Sequence, residues 1–311
     1  MLNYLQYLCK KEGNVIKREI TLALGGGGAK GNAHIGVLRR LEREGFIIRA
    51  VAGTSFGGIV AALYAAGLSP DEIEARFCMV DQSKLYGRMP GENPALLGLA
   101  GARKFLEEVL GGRTFADLKI PCALTAVDVD AAQEVILREG LVVDAVLATI
   151  ALPGIFPPHS LGGRRLVDGG VLDPVPVNSA RMLAPHLPVV AVTLTERVEE
   201  PVHIKLPLPL PGYIPAPLVE RLAHSRFAQA FEIFLRSVDI SSRLMTELRL
   251  KVDRPDVIIH PMVSGIGLLD QADVPRVARL GERAVEQAMP KLLQVTGWSY
   301  RLRLRLRRGV A

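Results

Sequence analysis

The chain has 311 residues, of which 49% are hydrophobic and 23% are charged. That length and composition suit one large α/β domain or two small ones with an ample core, and they exclude a disordered chain. Net charge is +6, but five arginines fall in R-L-R-L-R-L-R-R at 301–308 and the remainder is nearly neutral, which removes a general electrostatic case for nucleic acid.

Three cysteines, Cys9, Cys78 and Cys122, are dispersed and form no C-x-x-C pair. They read as reduced thiols of a cytoplasmic protein, not as a thiolate zinc site. No His/Asp/Glu cluster has ligand spacing, so neither a metal nor another cofactor is expected. The N-terminus lacks the basic region and small-residue cleavage site of a signal peptide. No uncharged apolar run reaches membrane-spanning length; the longest candidate, 141–152, is interrupted by Asp144.

Segment 19–24 (E-I-T-L-A-L) reads as a strand and runs into four glycines, Gly25 to Gly28. Apolar residues at Ile35, Leu38 and Leu41 predict a helix over 32–44, ended by Gly45. A strand over 46–52 and a small-residue helix over 55–66 follow. This strand–helix alternation predicts a mainly parallel sheet between layers of helices. Ser69 and Pro70 open another helix. Residues 81–103 read as loop and 104–110 as a short helix. Two strands, 121–129 and 134–138, precede a helix over 143–150 that is stopped at Pro153. Further strands are expected at 189–194 and 256–260. Apolar positions 277, 280, 284, 285, 288 and 292 predict a long amphipathic helix over 274–293. The proline-rich stretch 201–217 is incompatible with a helix or central strand. It reads as an extended surface linker or as an apolar flap over a lipid site. The Arg–Leu tail alternates with period two, as a strand with leucines on one face would, and could meet anionic lipid, lie as an edge strand or remain disordered.

Three local patterns carry chemistry. G-T-S-F-G at 53–57 sits at a strand-to-helix junction, the setting of a nucleophile elbow. Gly53 and Gly57 would relieve the clashes of so sharp a turn, and Ser55 would project its hydroxyl at a helix N-terminus. G-G-G-G-A-K-G at 25–31 presents successive backbone N–H groups, a cradle for a phosphate or an oxyanion. The spacing Gly26-x-Gly28-x-x-Gly31 also fits a dinucleotide fingerprint, but the second strand ends in R-A-V-A-G-T with no acidic residue. A Walker loop would need Ser or Thr where Gly31 follows Lys30. L-V-D-G-G-V at 166–171 places Asp168 among apolar residues, either as the first residue of a tight turn or as a base whose pKa an apolar surround would raise.

In order, these patterns resemble the patatin-like phospholipase family: a glycine-rich loop with a basic residue, then G-x-S-x-G, then D-G-G. The matching residues are Gly26, Gly27, Gly28, Lys30 and Gly31; Gly53, Ser55 and Gly57; and Asp168, Gly169 and Gly170. H-I-G-V-L at 34–38, A-L-P-G-I-F-P-P at 151–158 and V-D-G-G-V-L-D-P-V-P-V at 167–177 are also similar to bacterial members. Lys30 stands where many relatives carry Arg, which keeps the charge and loses the bidentate fork. The resemblance implies a three-layer α/β fold and a Ser55–Asp168 dyad that hydrolyses fatty acyl esters of lipids. It further implies an oxyanion hole at Gly26, Gly27 and Gly28, and no metal. It divides the chain into an N-terminal extension (1–18), a catalytic region (19–185), a C-terminal part of the same domain (186–298) and a basic tail (299–311). The proline-rich loop and the tail fall outside this pattern; their own residues make them candidates for peripheral contact with the inner face of a membrane.

Two rivals remain. A Ser–His–Asp α/β-hydrolase would recruit one of six histidines, His34, His159, His186, His203, His224 or His260. A patatin-like regulatory or lipid-binding protein would retain the dyad without turnover.

Overall fold

The structure is a computed structural model that describes residues 18–81, 85, 87, 95–196, 226–300, 302 and 304. The N-terminal extension, the proline-rich stretch 201–217 and most of the basic tail lie outside the described residues.

The elements in chain order are β1 (Arg18–Leu24), a 3-10 turn (Gly28–Asn32), α1 (Ala33–Arg43), β2 (Phe46–Thr54), α2 (Phe56–Ala65), α3 (Pro70–Met79) and α4 (Ala100–Leu110). There follow β3 (Cys122–Asp128), β4 (Gln133–Leu137), α5 (Val142–Thr149), β5 (His159–Leu161), β6 (Arg164–Asp168) and α6 (Val177–Leu183). The chain continues through β7 (Val189–Val192), α7 (Arg226–Asp253), β8 (Val257–Ile259) and α8 (Val274–Thr296).

One sheet of eight strands runs β5-β6-β3-β2-β1-β7-β8, with β4 also paired to β3. Strands β3, β2, β1, β7 and β8 are mutually parallel; β4, β6 and β5 are antiparallel additions at one end. The mainly parallel sheet between helical layers is as expected, and β7 and β8 join residues beyond 186 to the same sheet.

The alternation of side chains on the central strands sets the layers. Ile20, Leu22, Leu24 and Val51 face a large core shared with α1, α2, α5 and α8. On the other face, Ala123, Ala52, Ala23 and Ala191 line up in register across β3, β2, β1 and β7. This row of methyl groups lets the short helix α6 lie close, through Val177 and Ala180. Helices α1 and α8 also cross closely: a Cβ on Gly36 would lie 1.7 Å from the Ala278 carbonyl oxygen.

Some expectations need correction. Helix α4 begins at Ala100, four residues before the expected start. The tail does not continue as a period-two strand where it is described, since Leu302 and Leu304 are helical and Leu304 is buried. Arginine and leucine are both good helix formers, and one buried leucine outweighs an alternation that no neighbouring strand uses.

Candidate active site

Strand β2 ends at Thr54 and α2 begins at Phe56, so a single residue makes the turn. That residue is Ser55, at φ 55 and ψ −129. A non-glycine residue in such a conformation costs about 1–3 kcal/mol and persists only where its surroundings fix it. The Ser55 N–H donates to Thr149 Oγ1 at 2.9 Å, from the last residue of α5. A Cβ on Gly53 would lie 2.5 Å from the Gly57 carbonyl oxygen, and one on Gly57 would lie 2.3 Å from that of Leu24. Both positions of the elbow therefore demand glycine for space.

Strand β3 brings the second group. Its residues 124–128 pair with β4 along one edge. Residues 122–125 pair with β2 and residues 126–128 with β6. Both spans overlap that of β4, so β2 and β6 share the opposite edge and meet there end to end. Thr54 lies opposite Thr125 and Asp168 opposite Ala126. The last residue of β6 is thus delivered to the residue that follows β2. Ser55 Oγ donates to Asp168 Oδ2 at 2.5 Å, and the Gly170 N–H donates to Asp168 Oδ1 at 2.7 Å. The Asp168 N–H donates to the Ala151 carbonyl at 3.0 Å, within the A-L-P-G segment. A Cβ on Gly169 would lie 2.3 Å from Thr125 Oγ1, so this glycine lets the turn press against β3. Asp168 is 3% exposed. Burial pushes its carboxyl up to about 6, against the opposing effect of the bonds from Ser55 and Gly170.

The glycine loop lies alongside. A Cβ on Gly26 would lie 3.3 Å from Ser55 Cβ. The Gly26 N–H is already given to the Pro174 carbonyl at 3.0 Å, and the Gly25 N–H to that of Val192 at 2.9 Å. Gly27 and Gly28 follow, before Ala29 donates to the Leu268 carbonyl at 2.9 Å. Gly28 has φ 55, and a Cβ there would lie 2.0 Å from the Leu268 carbonyl oxygen. Gly31 sits under the Phe56 ring. Lys30 turns away: its Nζ pairs with Glu196 Oε1 at 2.8 Å, and Glu196 Oε2 pairs with Arg243 of α7 at 2.8 Å. The basic residue of the motif thus ties the loop to a helix.

Histidines stand apart from the pair. Buried His34 shares a 2.8 Å hydrogen bond with the Gly25 carbonyl, and burial pushes its imidazole down to about 4. The carbonyl can only accept, so Nε2 is the donor and carries the proton of the neutral ring. His159 lies 3.4 Å from Asp144, His260 lies 3.1 Å from the Thr195 carbonyl, and His186 is exposed. None of these four bonds the Asp168 carboxylate, whose partners are Ser55 and Gly170. His203 and His224 lie outside the described residues.

Ser55 and Asp168 open into a largely apolar cavity of about 160 Å³. Ile59, Phe77, Leu99, Ala102, Phe105 and Leu152 are among its lining residues. The supports Thr149, Thr125 and Ala151, and this lining, escaped the sequence reading because they come from distant segments. Among the described residues, no helix is long and apolar enough to cross a membrane, and no cluster of three or more His, Cys, Asp or Glu could hold a metal ion.

The profile of the family described as Patatin-like phospholipase matches residues 22–181. The chain is 31% identical over 284 residues to an uncharacterised NTE family protein of Mycobacterium tuberculosis, covering 89% of this chain and 48% of that one. It is 35% identical over 161 residues to a second such protein of the same organism, covering 51% of this chain and 44% of that one. The chain thus spans about half the length of these curated relatives. Among solved structures, VipD from Legionella pneumophila aligns with a TM-score of 0.47 at 13% identity, over 89% of this chain and 66% of that one.

Proposed function

Because the chain belongs to the patatin-like phospholipase family, we propose that it is a serine carboxylic ester hydrolase acting on fatty acyl esters of lipids. Ser55 is the nucleophile and Asp168 the general base. The observation that carries this reading is the 2.5 Å bond from Ser55 Oγ to a buried Asp168 carboxylate, whose other hydrogen-bond partner is the Gly170 N–H and not a described histidine.

Asp168, raised to about 6, is mostly ionised at neutral pH and still far more basic than an exposed aspartate. It takes the Ser55 proton as Oγ attacks the acyl carbonyl. The tetrahedral oxyanion forms at the glycine loop. Since the Gly26 N–H is committed to Pro174, the donors are those of Gly27 and Gly28. Loss of one such donor raises a barrier by about 2.7–4 kcal/mol. Protonated Asp168 then gives its proton to the leaving alkoxide, and an acyl-Ser55 ester remains. Water loses a proton to Asp168 as it attacks that ester; the bond from Ser55 Oγ to the acyl carbon then breaks, Asp168 returns the proton to Oγ, and the fatty acid leaves. The apolar cavity beside Ser55 supports a hydrocarbon acyl chain as the bound part. The dispersed cysteines support a cytoplasmic site of action, with lipid presented at the inner face of a membrane.

The test is hydrolysis of p-nitrophenyl esters of increasing chain length by the full chain, with labelling of Ser55 by a fluorophosphonate read by peptide mass. Wild type should hydrolyse and label. Ser55→Ala should do neither, Asp168→Asn should lose turnover, and each of the six single His→Ala variants should keep it. Hydrolysis by Ser55→Ala would sink the reading. Loss of turnover on removal of one histidine would replace the dyad with a triad.

A further inference from the structure

Asp173 and Pro174 form a joint at which the three parts of the site meet. The Asp173 N–H donates to the Gly169 carbonyl at 2.8 Å and so grips the residue that follows Asp168. The Asp173 carbonyl accepts from Thr54 Oγ1 at 2.9 Å and so grips the residue that precedes Ser55. Thr54 Oγ1 also shares a 2.7 Å bond with Thr125 Oγ1 of β3. The Pro174 carbonyl accepts the Gly26 N–H at 3.0 Å and holds the glycine loop. Two consecutive residues thus bond to the end of β2, to the turn after β6 and to the glycine loop.

The Asp173 side chain is fully buried and is met by Arg249 of α7, with Nη2 3.1 Å from Oδ2 and Nε 3.4 Å from Oδ1. Arg249 also lies 3.3 Å from Asp253 on its own helix and 3.3 Å from Glu134 of β4. Burial pushes the Asp173 carboxyl above its usual range, and Arg249 pulls it back. A buried carboxylate opposes folding more than an apolar residue of similar volume does. What the pair adds over an apolar contact is direction, because a planar guanidinium lying along a carboxylate fixes an angle as well as a distance.

We propose that Arg249 is a positioning residue for the Ser55–Asp168 pair and acts through Asp173. Arg249 is not among the residues that line the cavity. By fixing the Asp173 side chain it fixes the two backbone bonds that Asp173 makes, and with them the spacing between Ser55 and Asp168. A displacement of about 1 Å between reacting groups lowers a rate by about a hundredfold. The inference rests on the proposed dyad.

Turnover of a p-nitrophenyl ester and labelling by a fluorophosphonate test it on the full chain. The end point of labelling counts folded sites, and every rate is taken per labelled site. Arg249→Met should lower kcat by at least about tenfold and slow labelling in proportion, with KM within about twofold of wild type. Asp173→Ala should lose a similar factor. Combined, the two substitutions should lose no more than either alone, because one link is cut from its two ends. Asp173→Asn keeps an oxygen that accepts from Arg249, and should stay within about threefold of wild type. Glu134→Gln removes a partner of Arg249 that makes no bond to the joint, and should keep kcat within about twofold.

Turnover that Ser55→Ala abolishes and Arg249→Met leaves intact would overturn this proposal and spare the dyad. A wild type that neither turns over nor labels would overturn both. Losses that multiply in the combined variant would show Arg249 acting by another route and would also refute it. If Arg249→Met gives no labelled sites, the two Asp173 variants decide: equal losses in Asp173→Ala and Asp173→Asn would refute the link, since only asparagine keeps the bond.

Discussion

Replacing Asp168 with Asn should make the protein more stable and inactive, and the gain should depend on pH in a calculable way. Asp168 is 3% exposed and its carboxyl is raised to about 6 by burial. Against an ordinary aspartate near 3.9, that difference corresponds to about 3 kcal/mol carried against folding once the group is ionised. Below about pH 4 the carboxyl is neutral in both states and exacts nothing. As pH rises from there toward 6, the unfolded chain has lost a proton that the folded chain still holds, so stability falls. Above 6 both states are ionised and the loss is complete. Asn has no proton to lose. The stability of Asp168→Asn minus that of wild type should therefore grow by about 1.4 kcal/mol between pH 5 and pH 7.5. Urea denaturation of both proteins at a series of pH values measures that difference, and other titrating groups cancel from it. The same pKa sets the acid limb of kcat/KM for ester hydrolysis near pH 6, with a rate about tenfold below its plateau at pH 5. A difference that is flat from pH 5 to 7.5, or an acid limb near pH 4, would refute the claim that burial holds this carboxyl above its usual range.

Thr149→Val keeps the shape of its site and removes the acceptor of the Ser55 N–H. An unpaired buried amide costs about 1–3 kcal/mol, so the melting temperature and kcat should fall together; a fully active variant would show that the elbow does not lean on α5. Glu196→Gln should destabilise by about 1.5–3 kcal/mol in chemical denaturation, because it removes one of the two carboxylates that face buried Arg243, which keeps Asp239 at 2.7 Å. Lys30→Met should cost less, since Lys30 keeps 14% exposure. Gly169→Ala should reduce kcat/KM by about a hundredfold, the scale of a displacement of about 1 Å. Its Cβ would sit 2.3 Å from Thr125 Oγ1 and 2.5 Å from the Thr125 carbonyl oxygen, and would push Asp168 from Ser55.

The part of the fold nearest the site was legible because period and punctuation agree there. E-I-T-L-A-L, four glycines, a helical face through Leu38 and Leu41, and a second strand running into G-T-S-F-G give the path from β1 to α2 within two residues of the structure. The β5–β6 hairpin left a weaker trace, the Gly162-Gly163 pair at φ 58 and 76 between two three- to five-residue strands. Helix α7 was not legible. Its inner face mixes apolar Leu235 and Leu250 with buried Arg243, Thr246 and Asp253, while aliphatic residues stay exposed, so a search for a continuous apolar face does not find it. The supports of Ser55 and Asp168 were invisible for another reason. Thr149, Ala151 and Thr125 act through single backbone or hydroxyl bonds made at long sequence separation, and no local pattern encodes those. The commitment of the Gly26 N–H to Pro174 is of the same kind.

The arrangement of β2, β3 and β6 supplies a reason why two side chains would suffice in the proposed dyad. In a triad a histidine must be oriented by a third residue, because its ring can rotate on its own stem. Here the proposed base, Asp168, is the last residue of a strand, and the proposed nucleophile, Ser55, is the first residue past the end of another. Both strands are registered on one edge of β3, one residue apart. Their separation is therefore set by sheet hydrogen bonds that are formed whenever the fold is formed. The Asp168 carboxylate is further fixed by the Gly170 N–H, which leaves Oδ2 for Ser55. A short acid side chain held in this way needs no orienting partner, and its weak intrinsic basicity is corrected by the same burial that the sheet imposes. The glycine loop is tied to that frame from the other side, through Gly25 to β7 and through Lys30 and Glu196 to α7. Ser55, Asp168 and the glycine loop are thus positioned by backbone register first, and the requirement for glycine at 53, 57 and 169 follows from how closely those backbones approach.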